Sequence, residues 1–282
     1  MATIVDGKKI SKEILGDLQT RVKALVGKHN QPHLAVVLVG NDKPSQTYVG
    51  MKEQAAEKIG IKFSRFEFPG DISKEELILE IKKIQNTHGL SGLIVQLPVP
   101  EKLWPHTREI VDTIDLGIDV DCLSHLSLGR VMMNNSPIVP PTPGAILEIL
   151  KYYKVDLQGK HVCLVGRGDL IGKPLAAIFM NMRVALSVHG RDTKNLSDFT
   201  KTADVIITGV GKKNILTAEM VKDGCVVIDG GVSFEGGKMA GDVDFENVQK
   251  KASLITPVPG GVGPITVAKL LENTVFGCEQ KN

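Results

Sequence analysis

Short apolar stretches alternate with helix-like stretches along almost the whole chain, and this alternation constrains the fold more than any other feature. The first series begins with LAVVLV at Leu34–Val39, continues through a helix that Pro44 opens and Gly60 closes, and includes the strand-like stretches IKFSRFEF and GLIVQL. Ser73 and Glu76 form a capping box before the helix that separates the last two. Buried strands joined by helices pair in parallel, so the pattern predicts an α/β fold with helices on both faces of the sheet.

A second series of the same kind follows a proline-rich segment. This segment, from Pro98 to Pro143, is predicted to be irregular, with a domain boundary near its end. Beyond it, TPGAILEILKYY is typical of a helix, and HVCLVG, VALSVHG, DVIITGVG, CVVIDGG and SLITPVP are typical of strands. A chain of 282 residues is long for a single core, which also favours two domains.

The stretch VCLVGRGDLIGKPLA places a glycine-rich turn between a predicted strand and a predicted helix. Gly166 and Gly168 supply a G-x-G pattern, but Gly172 comes one residue later than the G-x-G-x-x-G fingerprint requires. The backbone of such a turn can approach a pyrophosphate, which the helix N-terminus also attracts. A dinucleotide is the predicted ligand, and the alternative is a tight strand-to-helix turn without a ligand.

The residues after the next strand bear on which dinucleotide binds. An NAD site usually has an acidic residue at the tip of this strand, where it bonds the ribose hydroxyls. Here the tip is His189, Gly190 and Arg191, and Asp192 lies just beyond. Arg191 and Arg167 together suit a 2′-phosphate, which guanidinium groups bind through paired charged hydrogen bonds. NADP is therefore the predicted cofactor, although each arginine alone is typical of a solvated surface charge.

The first half of the chain has its own candidate polar residues. Tyr48 and Lys52 are four residues apart on one predicted helix and share a face, which is usually a surface arrangement. Gln96 ends an apolar strand at the carboxyl edge of the sheet, where open α/β folds bind ligands. Asp119 and Asp121 lie in the proline-rich segment, where turn formation is the alternative to a functional role.

Composition argues against several other classes of protein. The chain has 34 Lys and Arg against 32 Asp and Glu, so it has no charge footprint for nucleic acid or an anionic membrane. The apolar runs are too short to span a bilayer, and the N-terminus MATIVDGKKI is not a typical presequence, so the cytoplasm is the expected compartment. The cysteines form no C-x-x-C pair, predict no metal site and are expected to be reduced and mostly buried: Cys122, Cys163, Cys225 and Cys278.

Eight blocks occur in order along nearly the whole chain: SQTYVGMK, VQLPVP, DVD, PTPGAI, GRGDLIGKP, ADVIITGVG, GDVDFE and TPVPGGVGPIT. Together they resemble the bifunctional methylenetetrahydrofolate dehydrogenase/cyclohydrolase family. The resemblance implies NADP-dependent oxidation of 5,10-methylenetetrahydrofolate, then hydrolysis of the methenyl product to 10-formyltetrahydrofolate. It also implies a cytoplasmic homodimer with an active cleft between two domains. Residues 1–139 and a returning C-terminal helix, 267–282, would form the folate-binding catalytic domain, and 140–266 a Rossmann-like NADP-binding domain.

The resemblance also assigns roles to individual residues. Lys52 matches the catalytic lysine, Tyr48 a tyrosine of its pocket, and Gln96 the glutamine that bonds the lysine. Asp121 matches the aspartate that holds the pterin, whose neighbouring N–H donors suit one carboxylate. The implied cofactor-binding residues are Gly166, Arg167, Gly168, Arg191, Val232 and Thr142. The implied further substrate-binding residues are Leu97, Pro98, Gly260, Gly261, Pro264 and Thr266.

The chain departs from the family pattern mainly near the cofactor. Gly168 and Gly190 each replace a usual serine, which removes two hydroxyl groups from the nucleotide site, and Cys122 replaces a usual glycine. Two other functions stay open at this point. One is a different two-domain NADP oxidoreductase, similar to shikimate or amino-acid dehydrogenases. The other is a non-catalytic folate- or nucleotide-binding protein, against which the retained Lys52 and Gln96 argue.

Overall fold

The chain divides into two compact α/β units. The computed structural model describes residues 1–86, 89–235 and 238–281. Unit 1 consists of Met1–Ser11, Val131–Asn135 and Thr142–Thr266, and unit 2 of Lys12–Arg130, Ser136–Pro141 and Val267–Asn282. The sequence-based division at residues 139 and 140 lies close to the last change of unit before the C-terminal helix. The structure differs in assigning Met1–Ser11 and Val131–Asn135 to unit 1.

The secondary structure alternates as the sequence pattern predicts. The strands are β1 Thr3–Ile4, β2 His33–Val39, β3 Lys62–Phe68, β4 Gly92–Val95, β5 His161–Val165, β6 Ala185–His189, β7 Val205–Thr208, β8 Val226–Asp229, β9 Ser233–Glu235, β10 Lys238–Ala240 and β11 Leu254–Ile255. The helices are α1 Gly7–Val26, α2 Lys43–Ile59, α3 Lys74–Gln85, α4 Thr107–Val111, α5 His125–Met132, α6 Pro141–Tyr152, α7 Gly172–Asn181, α8 Leu196–Thr200, α9 Phe245–Val248 and α10 Val262–Glu279. Short 3₁₀-helices lie at Glu101–His106 and Ala218–Met220.

Unit 2 is built on a parallel sheet with the strand order β3-β2-β4. Every residue of β2 is buried, which explains the uninterrupted apolar run from Leu34 to Val39. Leu34, Val36 and Leu38 pack in one core cluster, which includes residues of α1, α2 and α10. Ala35, Val37 and Val39 pack in a second cluster, which includes residues of α3. Successive side chains of a strand point to opposite faces, so the predicted two-sided covering of this sheet is confirmed.

Local sequence signals set the ends of α2 and α3. The Asp42 side chain accepts a hydrogen bond of 2.8 Å from the Ser45 N–H and so caps the start of α2. Gly60 follows the last turn with φ of 90°, a left-handed conformation in which glycine has no steric cost. Ser73 and Glu76 form the predicted capping box at the start of α3. The helix ends predicted from these residues are therefore confirmed.

Unit 1 contains a six-stranded parallel sheet with the order β1-β11-β8-β7-β5-β6. The strand β5 lies between β6 and β7, so the strand order reverses there, as in doubly wound nucleotide-binding folds. The edge strand β1 was not predicted, because its two residues are defined only by pairing Thr3 with Leu254 and Ile4 with Ile255. Among the described residues, no helix is long and apolar enough to cross a membrane.

The prediction of an irregular segment from Pro98 to Pro143 is wrong in part. This segment contains a 3₁₀-helix, α4, α5 and the first turn of α6. Its prolines are compatible with these elements because Pro105 lies in the short 3₁₀-helix and Pro141 is the first residue of α6, where a missing N–H costs nothing. The C-terminal helix also begins earlier than predicted, at Val262 rather than Val267.

Candidate active site

Unit 2 buries a lysine side chain against an amide. Lys52 lies on α2 and is 5% exposed, and its Nζ donates a hydrogen bond of 2.9 Å to Gln96 Oε1. Gln96 follows β4 directly, and its Nε2 donates to the Leu97 carbonyl at 2.7 Å. This second bond orients the amide so that its oxygen faces the amine. The structure thus brings this predicted pair together at the carboxyl end of a parallel strand.

The register of α2 explains why Lys52 is buried. It belongs to the stripe of α2 that faces the core, together with Ser45, Val49, Ala56 and Ile59. Tyr48 lies one turn earlier, and the centroid of its ring is 5.2 Å from Lys52 Nζ, within the range of a cation–π contact. The Tyr48–Lys52 pair is therefore not the surface arrangement that its spacing alone would suggest.

The protonation equilibria of this group are set mainly by burial. Burial lowers the pKa of Lys52, and the negative charge of Asp121 opposes that shift. Burial also raises the pKa of Asp121, against the effect of Lys52. The Tyr48 phenol is kept neutral because burial raises its pKa to about 12. A buried amine that is pushed toward its neutral form beside a carboxylate is suited to general acid–base chemistry.

Asp119 stabilises the loop that contains Asp121, which agrees with turn formation, the predicted alternative to a functional role for Asp119. Its side chain is 1% exposed and accepts hydrogen bonds of 2.6 Å from the hydroxyls of Ser124 and Ser127. It also accepts from the backbone N–H groups of Leu123 at 3.3 Å and Ser124 at 3.1 Å. The four donors, all from residues that follow Asp121, tie this part of the chain to the buried carboxylate that precedes Asp121.

The substitution Asp119→Asn is expected to lower the free energy of unfolding by about 2 kcal/mol, since the amide keeps one acceptor oxygen but turns an NH₂ group toward buried donors. Urea denaturation followed by the fluorescence of Trp104, the single tryptophan of the chain and a residue of unit 2, measures this change. The control is Asp115→Asn, at an exposed aspartate four residues away, which should change stability by less than about 0.5 kcal/mol. Equal effects of the two substitutions would contradict the anchoring role.

The glycine-rich turn after β5 in unit 1 is shaped by close backbone contacts. Gly166 has φ of 134°, and a Cβ at this position would lie 2.5 Å from the Gly209 carbonyl oxygen. A Cβ on Gly172 would collide with the carbonyl group of Gly166, 2.7 Å from its carbon atom. Gly172 therefore provides the close approach of helix to turn expected of the third fingerprint glycine, although it comes one residue late.

The same turn fits the pyrophosphate of a dinucleotide. Apart from its two chain neighbours, no described residue has an atom within 4 Å of a Cβ placed on Gly168, so the backbone there borders open space. Helix α7 begins at Gly172, and the preceding Ile171 has no polar side-chain atom with which to cap it. Within the first turn, Pro174 has no N–H and the Lys173 N–H donates to the Gly168 carbonyl at 3.0 Å, so Gly172 supplies the N–H group that can receive an anion there.

The other predicted cofactor residues also lie in unit 1. Arg167 is in the turn itself, and Arg191 is an exposed residue just after β6. Val232 is 49% exposed on the segment after β8, and Thr142 lies in the first turn of α6. The first three follow carboxyl ends of parallel strands, which meet at one edge of the sheet.

The predicted substrate residues are divided between the two units. Leu97 and Pro98 lie in unit 2, directly after Gln96. Four others lie in unit 1, around the start of α10: Gly260, Gly261, Pro264 and Thr266. The Gly260 carbonyl accepts a hydrogen bond of 3.0 Å from the Gly7 N–H, and the Pro264 carbonyl accepts one of 2.9 Å from the Ser11 hydroxyl.

Sequence reasoning missed two buried carboxylates, Asp229 and Asp242, that shape the loops beside the cofactor turn. Asp229 accepts hydrogen bonds from the Gly231 N–H at 2.9 Å, the Thr208 hydroxyl at 3.0 Å and the Val243 N–H at 3.0 Å. Asp242 accepts from the N–H groups of Val210 at 2.6 Å and Lys212 at 2.8 Å. A Cβ on Gly231 would collide with the Asp242 carboxylate, and one on Gly241 with that of Asp229. Gly241 and Asp242 belong to the GDVDFE block, which contributed to the family resemblance but did not predict that these carboxylates hold the loops.

Asp229 should make stability depend on pH. Burial raises its pKa to about 6, and the charge of Asp242 adds to the shift. A carboxyl with a higher pKa in the folded than in the unfolded protein contributes its full stability below the unfolded value, near 4, and loses it as the pH rises through the folded value. We expect the free energy of unfolding of the wild type, relative to Asp229→Asn, to fall by up to about 3 kcal/mol between about pH 4 and about pH 7.

Chemical denaturation at a series of pH values measures this difference. Asp223→Asn is the matched control, since Asp223 has a side chain that is 87% exposed in the same unit and should show no such trend relative to the wild type. The prediction would be contradicted if the free energy of unfolding of the wild type, relative to Asp229→Asn, rose with pH.

These two sites define a two-domain α/β enzyme of the dinucleotide-binding class. Residues 5–121 match the tetrahydrofolate dehydrogenase/cyclohydrolase catalytic domain, and residues 140–282 match the NAD(P)-binding domain of the same family. The bifunctional protein FolD of Nautilia profundicola is 46% identical over 274 residues, which cover 97% of this chain and 96% of that protein. The chain therefore belongs to the tetrahydrofolate dehydrogenase/cyclohydrolase family.

Solved structures agree with this membership. The bifunctional enzyme FolD, a methylenetetrahydrofolate dehydrogenase/cyclohydrolase from Campylobacter jejuni, is 38% identical with a TM-score of 0.95, and all of both chains is covered. The Trypanosoma brucei enzyme, solved with NADP cofactor and an inhibitor, is 32% identical with a TM-score of 0.95 and covers 99% of this chain and 98% of its own. A shikimate 5-dehydrogenase from Thermus thermophilus, at 14% identity and a TM-score of 0.53, shares the fold alone.

Proposed function

We propose that this chain oxidises 5,10-methylenetetrahydrofolate to 5,10-methenyltetrahydrofolate with NADP and then hydrolyses the methenyl compound to 10-formyltetrahydrofolate. Family membership supports the pair of reactions. The observation that best supports the proposal is the buried Lys52–Gln96 pair. The Tyr48 ring lies next to the amine of this pair, and the Asp121 charge acts on the pKa of Lys52. A dehydrogenation alone would not need a buried amine of lowered pKa.

We assign cofactor binding to residues of unit 1. Bound NADP supplies the hydride acceptor for the oxidation. The turn containing Gly166 and Gly168 would hold the pyrophosphate, and Arg167 and Arg191 would bind the 2′-phosphate. We also assign Val232 and Thr142 to the cofactor-binding site.

We assign folate binding first to Tyr48, Leu97, Pro98 and Asp121 in unit 2. The ionised Asp121 carboxylate would accept hydrogen bonds from the neighbouring N–H donors of the pterin. Burial raises the pKa of Asp121, and the positive charge of the protonated Lys52 opposes that shift and so favours the ionised form. The assignment includes further residues of unit 1: Gly260, Gly261, Pro264 and Thr266.

Lys52 is assigned the proton transfers of the hydrolytic step. Attack of water on the methenyl carbon releases a proton, and opening of the ring requires a proton at the leaving nitrogen. A lysine in water stays protonated near neutral pH, but burial lowers the pKa of Lys52 and the cationic substrate would lower it further. Gln96 holds the amine through its oxygen, so that the nitrogen lone pair of the neutral form can face the substrate.

We also propose a homodimeric, cytoplasmic enzyme, as the family resemblance implies. Light scattering coupled to size-exclusion chromatography should give twice the chain mass of 30.5 kDa. A single-chain mass across the concentration range used in assays would contradict the dimer.

The activity is tested by supplying NADP⁺ with either 5,10-methylenetetrahydrofolate or shikimate. We expect NADPH to form only with the folate, and 10-formyltetrahydrofolate to appear as the final product. NADPH formation with shikimate would favour the other oxidoreductase class. Tight binding of the folate without any turnover would favour a non-catalytic binding protein.

A further inference from the structure

A carboxylate lies at the tip of β6, although the sequence has glycine at that position. The turn after the strand is closed at both ends: the Thr193 N–H donates to the Gly190 carbonyl at 3.1 Å, and the Gly190 N–H donates to the Thr193 hydroxyl at 3.0 Å. This turn folds Asp192 back over the strand end. A Cβ on Gly190 would lie 2.5 Å from Asp192 Oδ1, so the acid occupies the space of a side chain at the tip.

The same space contains the guanidinium of Arg167. Its Nη2 lies 2.8 Å from Asp192 Oδ1, and its Nε would be 2.6 Å from a Cβ on Gly190. The absence of a side chain at position 190 therefore makes room for an ion pair between the glycine-rich turn and the turn after β6. The two turns are held next to each other by the bond of 2.8 Å from the Gly166 N–H to the His189 carbonyl.

This ion pair contributes little to folding. The side chains of Arg167 and Asp192 are 59% and 74% exposed, and solvent screens exposed pairs of this kind so strongly that they add little to stability. The ion pair does, however, affect which groups of a cofactor can bind Arg167. To bind Arg167, a 2′-phosphate would have to displace the Asp192 carboxylate from the guanidinium. The two negatively charged groups would then repel each other. A ribose 2′-hydroxyl can instead donate a hydrogen bond to an acid at this strand tip.

We propose that Asp192 is a specificity-determining residue that weakens NADP binding and allows NAD to bind in the same site. The proposal rests on the proposed dehydrogenase function, since it concerns the adenosine end of that cofactor. Arg191, exposed in the same turn, remains as a cation for the 2′-phosphate, so NADP still binds. The difference in affinity between NADP and NAD becomes smaller, because the Asp192 carboxylate competes with the 2′-phosphate for Arg167.

Calorimetric titration of the whole protein with NADP⁺ and with NAD⁺ tests this role. At low ionic strength, Asp192→Asn should bind NADP⁺ about tenfold more tightly than the wild type, because a like charge within a few ångströms of the phosphate is removed. It should bind NAD⁺ severalfold more weakly. Added salt should reduce the gain for NADP⁺, since both charges are exposed to solvent. Asp198→Asn, which removes one charge from an exposed aspartate of α8, is the matched control and should change neither affinity.

Arg167→Ala separates competition for the arginine from simple repulsion. If Asp192 acts through Arg167, the gain in NADP⁺ affinity from Asp192→Asn should be less than half as large in the Arg167→Ala background. An unchanged ratio of NADP⁺ to NAD⁺ affinity in Asp192→Asn, in a protein whose wild type reduces NADP⁺, would overturn the role of Asp192 and leave the proposed function standing. Binding of neither cofactor by the wild type would contradict both.

Discussion

Lys52→Gln is expected to lower cyclohydrolase activity by about 10²–10⁴-fold, the usual worth of a general acid–base group, while dehydrogenase activity stays within about tenfold of the wild type. Glutamine is polar and only one atom shorter than lysine, but it cannot accept or release a proton in the relevant pH range. The oxidation needs mainly the correct orientation of the folate, which this substitution largely preserves. Methenyltetrahydrofolate should therefore accumulate when the variant turns over.

The pH dependence of hydrolysis gives a second measurement of the same role. Burial lowers the pKa of Lys52, so the neutral, proton-accepting fraction grows as the pH rises through that lowered value. The wild-type cyclohydrolase rate should rise over the same range, and this rise should be absent in Lys52→Gln. Lys58→Gln, at an exposed lysine of the same helix, should keep both activities. Parallel loss of the two activities in Lys52→Gln, through a raised KM, would show that Lys52 only binds the substrate.

Gly172→Ala is expected to lower the free energy of unfolding by more than about 3 kcal/mol, at the upper end of what overpacking costs. The added methyl group would collide with the backbone carbonyl of Gly166, which cannot rotate away as a side chain can. Helix α7 would have to move away from the turn after β5. The proposed pyrophosphate site depends on that close approach, so NADP⁺ binding should weaken as well.

Gly168→Ala provides the matched control for this prediction. It adds the same methyl group to the same turn, but apart from the two chain neighbours no described residue has an atom within 4 Å of the new Cβ. Its stability should stay within about 0.5 kcal/mol of the wild type. Denaturant unfolding and calorimetric titration with NADP⁺ should be compared for the two variants. Equal stability of Gly172→Ala and Gly168→Ala would contradict the packing role of Gly172.

The parts of the fold that the sequence predicted well are those specified by neighbouring residues. Pro44, Gly60 and the Ser73–Glu76 capping box act within one turn of the helix ends that they define, so they can be recognised without knowledge of the rest of the chain. The apolar stretch at Leu34–Val39 is similarly informative, because a strand buried on both faces requires an uninterrupted apolar run. By contrast, β1 exists only through pairing with a strand far along the chain.

The candidate site likewise combines features that neighbouring residues specify with features that depend on distant parts of the chain. Lys52 and Gln96 were paired through the family resemblance, and spacing alone favoured a surface position for the Tyr48–Lys52 pair. Burial of Lys52 depends on which face of α2 packs on the sheet, and this is a tertiary property. In the sequence Asp192 lies beyond the strand tip, and only the closed turn from Gly190 to Thr193 returns its carboxylate to the tip. The reciprocal packing of Asp229 and Asp242 against glycines likewise depends on two distant segments.

A single-turnover experiment with excess enzyme, 5,10-methylenetetrahydrofolate and NADP⁺ tests the central claim most directly, that one chain performs both reactions. The absorbances of NADPH and of methenyltetrahydrofolate are followed together, and the product is identified after quenching. We predict that 10-formyltetrahydrofolate forms in an amount equal to NADPH, with the methenyl compound transient in the wild type. Formation of NADPH with an equal and lasting amount of methenyltetrahydrofolate, or no NADPH at all, would contradict a bifunctional enzyme.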